Sequence, residues 1–229
     1  MAALWCVVPA AGRGTRVGGD CPKQYLPLAG RPLILQTLER LAAHPLVAGL
    51  LVVLGAADTR WPGIEQLNGK PVRSVTGGAE RCDSVLAGLG ALPDAVGEDD
   101  FVLVHDAARP CVRLGDIDRL IAQAMRGDGG LLGAPLRDTL KRADAGGHSE
   151  QTEPREQRWR AFTPQLFRRG PLSAALVEAA RRGIRVSDEA MAMELAGFAP
   201  LLVEGAEDNI KVTTAADFAL AEFLLARTA

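Results

Sequence analysis

The chain has no C-x-x-C pair; its cysteines, Cys6, Cys21, Cys82 and Cys111, are scattered. That spacing makes a poor disulfide framework and a poor zinc site, and it suits a reducing, cytoplasmic setting. There is no basic excess either: 26 Lys and Arg stand against 28 Asp and Glu, a net charge of -2. A nucleic-acid partner usually demands the opposite balance, so none is expected, and any cation cluster here serves one local ligand. No apolar run approaches membrane-spanning length, so no membrane partner is expected. The first residues lack a basic segment before their apolar run, which predicts no signal peptide. Internal repeats and linker-like stretches are also missing. One domain over residues 1–229 is therefore expected, and at 48% hydrophobic residues it has ample apolar surface to bury.

What the chain does have is a recurring set of short apolar runs: Leu4–Val8, Leu50–Leu54, Val72–Val75, Phe101–His105, Leu131–Ala134 and Leu201–Val203. Several are apolar throughout, which predicts strands covered on both faces. Helical spacings lie between them. Leu35, Leu38 and Leu41 share one face within 32–44, and Ile117, Leu120, Ile121, Ala124 and Met125 share another, with Asp116 as the expected N-cap. A helix over 171–182 is expected to stop at Gly183. Ser187 is expected to cap a further helix ending near Gly197, and Thr214 with Asp217 to open the last one. Strands alternating with helices predict an α/β fold, a mostly parallel sheet flanked by helices, with ligands bound outside the carboxyl ends of the strands. Residues 141–160 break the pattern. They are polar, contain glycine and have almost no aliphatic residue, which predicts a structureless arm projecting from the domain onto a second subunit.

The loop after the first run, "PAAGRGTRVGGDCPKQY", carries Gly12, Gly14, Gly18 and Gly19. Glycines there let backbone N–H groups approach an anion closely. The loop has neither the G-x-G-x-x-G order of dinucleotide folds nor the terminal G-K-[ST] of the P-loop. Arg16 and Lys23 instead bracket it, positioned to neutralise charge during displacement at phosphorus. These features point to a nucleoside triphosphate. "TGGAERCDSVLAGL", Thr76–Leu89, is a glycine turn opening an amphipathic helix, with Arg81 and Ser84 near its positive end. "VLVHDAARP", Val102–Pro110, ends a strand in a carboxylate, Asp106, suited to holding Mg²⁺. His105 reads as a packed strand-end residue, because this chemistry needs no strong base.

Taken together these segments resemble the 2-C-methyl-D-erythritol 4-phosphate cytidylyltransferase family. The resemblance runs from Pro9-Ala10-Ala11-Gly12 with Gly14 and Arg16, through Pro22-Lys23-Gln24-Tyr25, Gly77-Gly78 with Arg81 and Ser84, and His105-Asp106-Ala107-Ala108-Arg109-Pro110. It continues in Arg137-Asp138-Thr139 with Lys141, Thr163-Pro164-Gln165, Ser187-Asp188-Glu189-Ala190 and Asn209-Ile210-Lys211-Val212-Thr213. It implies a Rossmann-like nucleotidyltransferase fold with a projecting dimerisation arm at about 137–160. The activity implied is transfer of CMP from CTP to 2-C-methyl-D-erythritol 4-phosphate, with release of pyrophosphate, in non-mevalonate isoprenoid biosynthesis.

By position, the resemblance makes Arg16 and Lys23 the catalytic pair. Pro9, Ala10, Ala11, Gly12, Gly14, Gly78, Ala79, Arg81, Ser84, Asp106 and Ala107 would bind CTP, the Ser84 hydroxyl meeting the cytosine. Thr139, Arg155, Thr163 and Lys211 would hold the acceptor's phosphate, and Asp106 the Mg²⁺. A homodimer is implied, in which Thr139 and Arg155 cross to the neighbouring site. The nearest alternative is a cytidylyltransferase for ribitol 5-phosphate or another polyol phosphate. A catalytically silent nucleotide-binding dimer is opposed by the presence of both Arg16 and Lys23. A dehydrogenase is opposed by the missing third glycine and by the lack of an acidic residue closing the strand at Leu54.

Overall fold

A computed structural model of the chain describes residues 4–12 and 21–227. The elements are β1 (Leu4–Pro9), β2 (Pro27–Leu28), β3 (Arg31–Pro32), α1 (Leu33–Ala42), β4 (Val47–Leu54), β5 (Gln66–Leu67) and β6 (Lys70–Thr76). They continue as α2 (Arg81–Gly90), β7 (Phe101–Val104), α3 (Leu114–Ala124), β8 (Gly130–Pro135), β9 (Leu140–Ala143) and β10 (Ser149–Glu153). The last are β11 (Trp159–Arg168), α4 (Arg169–Arg181), α5 (Glu189–Leu195), β12 (Leu201–Glu204) and α6 (Ala215–Arg227).

Eight strands form one sheet in the order β12-β8-β11-β7-β1-β4-β6-β5. The pairs β7–β1, β1–β4, β4–β6 and β8–β12 are parallel, while β11 runs antiparallel to both β7 and β8. The expected mostly parallel, helix-flanked sheet is therefore present, with β11 and the short edge strand β5 as the reversals. Continuous apolar runs explain why the central strands are covered on both sides. Leu4, Cys6 and Val8 of β1 join one core with Ile34 and Leu38 of α1 and Ile117 and Leu120 of α3. Trp5 and Val7 join the other with Val85 and Leu89 of α2 and Leu172 and Leu176 of α4. Adjacent residues point to opposite faces in a strand, so one sequence of six residues feeds two cores.

Three local expectations are corrected. Asp116 is not the N-cap of α3: Arg113 occupies that position, and Asp116 lies in the first turn. Its buried carboxylate accepts from the Ala206 N–H at 2.7 Å and from Arg119, tying down the segment after β12. The cap of α5 is Asp188 rather than Ser187, with Asp188 Oδ1 accepting from the Met191 N–H at 3.0 Å. Residues 141–160 are not structureless. β9 and β10 pair as an antiparallel hairpin whose turn is held by Asp144 Oδ1, which accepts from the Gly146 and His148 N–H groups at 2.9 Å each. Both faces of this hairpin are polar and mostly exposed.

The expected helix stop at Gly183 is seen, with φ at +66°. Asp217 Oδ2 accepts from the Thr213 and Thr214 N–H groups at 2.7 Å each, closing the start of α6. Among the described residues no helix is long and apolar enough to cross a membrane.

Candidate active site

Parallel strands end on one edge of the sheet, and their carboxyl ends deliver the site. The segment after β1 supplies Ala10 to Gly12, and that after β6 supplies Gly78 to Glu80. The segment after β7 supplies Asp106 to Ala108, and the one after β12 supplies Lys211. These, with Lys23 and Gln24, wall a cavity of about 320 Å³. Backbone bonds stitch the segments together: Ala10 N to Val53 O at 2.8 Å, Gly77 N to Leu54 O at 2.7 Å, and Val212 N to Ala108 O at 2.8 Å.

The turn before α2 needs glycine for space. A Cβ on Gly77 would fall 2.5 Å from Ser84 Oγ and 2.8 Å from Val53 Cγ1, and one on Gly78 would fall 2.3 Å from Asp83 Cβ. Asp83 sits in the first turn of α2 and accepts from the Glu80 N–H at 3.1 Å, so the turn and helix are packed as a unit. Bare backbone can therefore lie against a ligand along Gly78 and Ala79. The Ser84 hydroxyl donates to Glu80 O at 3.1 Å. Ser84 does line the cavity, but its proton is committed to the helix.

Asp106 is the electrostatic centre. Its Oδ1 accepts from Arg81 Nε at 3.0 Å, and its Oδ2 lies 2.8 Å from Lys211 Nζ and 3.6 Å from Arg109 Nε. Burial alone would raise its pKa. Arg81, Lys211 and Arg109 outweigh burial and hold the carboxyl well below the usual carboxylate range. Arg81 reaches further, placing Nη1 at 2.5 Å and Nη2 at 3.1 Å from the two oxygens of Glu189. Burial works against the Arg81 charge, and Glu189 with Asp106 more than offsets it. Three cations thus meet two carboxylates, leaving one positive charge in excess beside the cavity. A polyanionic ligand fits that balance.

Behind Asp106, His105 is fully buried. Its Nε2 contacts Arg109 O at 3.0 Å, a carbonyl, so Nε2 carries the proton and Nδ1 accepts from the Thr163 hydroxyl at 3.1 Å. Thr163 Oγ1 in turn accepts from the Asp106 N–H at 3.0 Å. Burial lowers the His105 pKa to about 4, more than its bond to Arg109 O and the Asp106 charge raise it. It packs at the strand end as expected and stays neutral.

Of the residues singled out in the sequence, Pro9, Ala10, Ala11, Gly12, Lys23, Gly78, Ala79, Arg81, Ser84, Asp106, Ala107 and Lys211 meet around this one cavity. Arg16 and Gly14 lie outside the described residues. Lys23 Nζ donates to Val212 O at 2.8 Å, next to Lys211 in sequence. Thr139 and Arg155 do not line the cavity. Both are exposed, and Arg155 donates to Arg137 O. Thr163 also lies off the wall, buried with its hydroxyl between His105 Nδ1 and the Asp106 backbone N–H.

Sequence reasoning gave no site role to Gln24, Arg109, Glu189 or Asn209. Gln24 Nε2 donates to Ala10 O at 2.9 Å, Arg109 Nη1 to Asn209 O at 2.6 Å, and Asn209 Nδ2 to Thr163 O at 2.8 Å. Each sits inside a segment already notable for its neighbours, but nothing in the sequence distinguishes an inward Glu189 from a solvated acid at a helix start.

A carboxyl-edge cavity with glycine-turn walls and a positive balance, on this mixed sheet, defines an α/β nucleotidyltransferase. A family profile described as 2-C-methyl-D-erythritol 4-phosphate cytidylyltransferase matches residues 4–227. The chain belongs to that family. A relative of that name from Xanthomonas euvesicatoria pv. vesicatoria is 59% identical over 224 residues, 97% of this chain and 84% of the relative. One from Xanthomonas campestris pv. campestris is 60% identical over 225 residues, with the same coverage. Among solved structures, a 4-diphosphocytidyl-2C-methyl-D-erythritol synthase superposes with a TM-score of 0.85 at 33% identity, covering 98% of this chain and 99% of that one. The Francisella tularensis cytidylyltransferase gives 0.84 at 32% identity, covering 97% and 100%.

Proposed function

We infer that this enzyme transfers CMP from CTP to 2-C-methyl-D-erythritol 4-phosphate, giving 4-diphosphocytidyl-2-C-methyl-D-erythritol and pyrophosphate in isoprenoid biosynthesis. The observation that carries this reading is membership of the family over nearly the whole chain, joined to a cavity whose charge balance suits a triphosphate. A phosphate oxygen of the acceptor attacks the α-phosphorus of CTP, and the bond to the pyrophosphate oxygen breaks. The attacking oxygen is already ionised, so no general base is needed. Lys23, with Arg16, stabilises the charge gathering on the equatorial oxygens. Lys211 holds the acceptor phosphate, leaving Asp106 as it does so. Backbone at Ala10–Gly12 and at Gly78–Ala79 frames the nucleotide.

Mg²⁺ belongs to this reading. No group of three or more His, Cys, Asp or Glu side chains among the described residues makes a metal site. Two carboxylates line the cavity: Glu80, which is paired with Arg185, and Asp106, which is backed by cations and is the one we assign to the ion. One carboxylate plus phosphate oxygens and water suits Mg²⁺, which dehydrates reluctantly. When bound, the ion would draw charge from the triphosphate.

We also place the enzyme in the cytoplasm, as a homodimer whose 137–160 segment lends Thr139 and Arg155 to its neighbour. Their exposure, away from their own chain's cavity, supports that exchange. Pyrophosphate release from CTP, measured with each acceptor in turn, tests the substrate assignment. Release with methylerythritol phosphate and not with ribitol 5-phosphate is expected; the reverse preference would overturn it.

A further inference from the structure

Glu189 is wholly buried at the first position of α5, with no exposed surface of its own. It reaches the cavity only through Arg81, whose Nη1 and Nη2 each donate to one of its oxygens. Burial raises the Glu189 pKa and Arg81 opposes that rise, but a bidentate fork requires both oxygens as acceptors, so the geometry favours the ionised carboxylate. Arg81 spends its remaining inward donor, Nε, on Asp106 Oδ1 at 3.0 Å. The guanidinium is thus fixed in its plane by two carboxylates, one buried and one on the cavity wall.

The placement of Glu189 is itself built. Gln165 on β11 donates to Asp188 Oδ2 at 2.9 Å and accepts from the Ala190 N–H at 2.8 Å, clamping the residues on either side of Glu189. Asp188 Oδ1 caps the same turn. An ion pair whose carboxylate is fully buried and whose guanidinium is only partly exposed adds little net stability, because desolvation consumes most of the attraction. So much structure around a pair of small net stability indicates a role in orientation.

We propose that Glu189 is a positioning residue for the transfer reaction: it keeps the Arg81 guanidinium turned onto Asp106 and away from the triphosphate. This inference rests on the cytidylyltransferase reading. With Gln in place of Glu189, one Arg81 N–H keeps an amide oxygen while the other faces an NH2 and loses its acceptor. That frees the guanidinium to turn to the phosphates of a bound nucleotide. Arg81 would then follow the substrate and leave Asp106 less constrained. Nucleotide affinity would hold while turnover falls, the signature of a loss felt in the transition state.

The test pairs Glu189→Gln with Glu189→Asp, and each with Arg81→Lys. The first readout is the side-chain Nε–H resonance of Arg81 in NMR of the ligand-free protein, assigned by its disappearance in Arg81→Lys. It should be sharp and exchange-protected in the native chain, lost in Glu189→Gln, and only partly recovered in Glu189→Asp, whose shorter carboxylate cannot reach both donors. The second readout is steady-state turnover. Glu189→Gln should lower kcat by about tenfold to a hundredfold, the scale for removing a residue that orients a site ligand, with KM for CTP changed less than about threefold. In the Arg81→Lys background the same change should have little further effect.

An Arg81 signal unchanged in Glu189→Gln would overturn the proposal, as would equal kcat losses in both backgrounds. If Glu189→Gln does not fold, Glu189→Asp carries the same comparison, and a native Arg81 signal with native kcat in that variant counts against the orienting fork. Failure of the native chain to release pyrophosphate would defeat the functional reading instead, while the resonance still decides the placement of Arg81.

Discussion

Lys23 and Lys211 stand 188 positions apart in the sequence yet meet on one wall, because Lys23 Nζ bonds the carbonyl of Val212. Their assigned tasks differ, and so do the losses expected. Lys23→Ala should lower kcat by roughly 10²–10³, the scale of one missing transition-state donor. Lys211→Ala should raise KM for the sugar phosphate more than KM for CTP; the reverse split in steady-state kinetics would reassign the pair. His105 makes a separate, pH-dependent contribution. Its pKa lies near 4 in the folded chain, below the ordinary 6.5, so the unfolded chain binds this proton first as pH falls. Stability from this residue is complete above about pH 6.5 and is lost on going down to about pH 4, an effect on the order of 3 kcal/mol. Thermal melts at stepped pH should show that loss in the native chain and a flatter curve over the same window in His105→Asn.

At the scale of elements, the turn from β6 into α2 is the tightest part of the site. Gly78→Ala places a methyl against Asp83 and must displace the first turn, which carries Arg81 and Ser84. Overpacking of this kind costs about 1–3 kcal/mol, so a lower melting midpoint and weaker CTP binding by calorimetry are expected together. This turn was legible in the sequence, because paired glycines before an amphipathic run have few other uses. Strands β1, β4, β7 and β8 were legible because two-sided burial writes itself as unbroken hydrophobicity. The largely exposed β6 and β12 were legible from shorter apolar runs.

β11 was not. Pro164 interrupts it, and its first residues are exposed while its later ones are buried, so no single period runs through it. The β9–β10 hairpin was also missed, because strands with two polar faces carry no period-two signal. Asp188 and Asp116 show a different difficulty. Acids near a helix start are readable as capping residues, but which one caps depends on partners such as Gln165 and Ala206 that only the tertiary fold supplies.

For the whole molecule, the sheet gathers loops from both halves of the chain at one edge, while Thr139 and Arg155 lie off that cavity. If they serve a neighbouring subunit, two inactive variants should repair each other. Lys23→Ala mixed with Arg155→Ala leaves one intact site in each hybrid dimer, so about a quarter of native activity should return after subunit exchange. No recovery in a mixture shown to contain hybrids would confine each site to one chain.

The most direct measurement follows the phosphorus itself. With CTP radiolabelled at its α-phosphorus and methylerythritol phosphate as acceptor, the label should appear in the cytidine diphosphate sugar alcohol, with unlabelled pyrophosphate released in equal amount. Label found in pyrophosphate, or CTP left unconsumed with acceptor and Mg²⁺ present, would contradict cytidylyl transfer at this cavity.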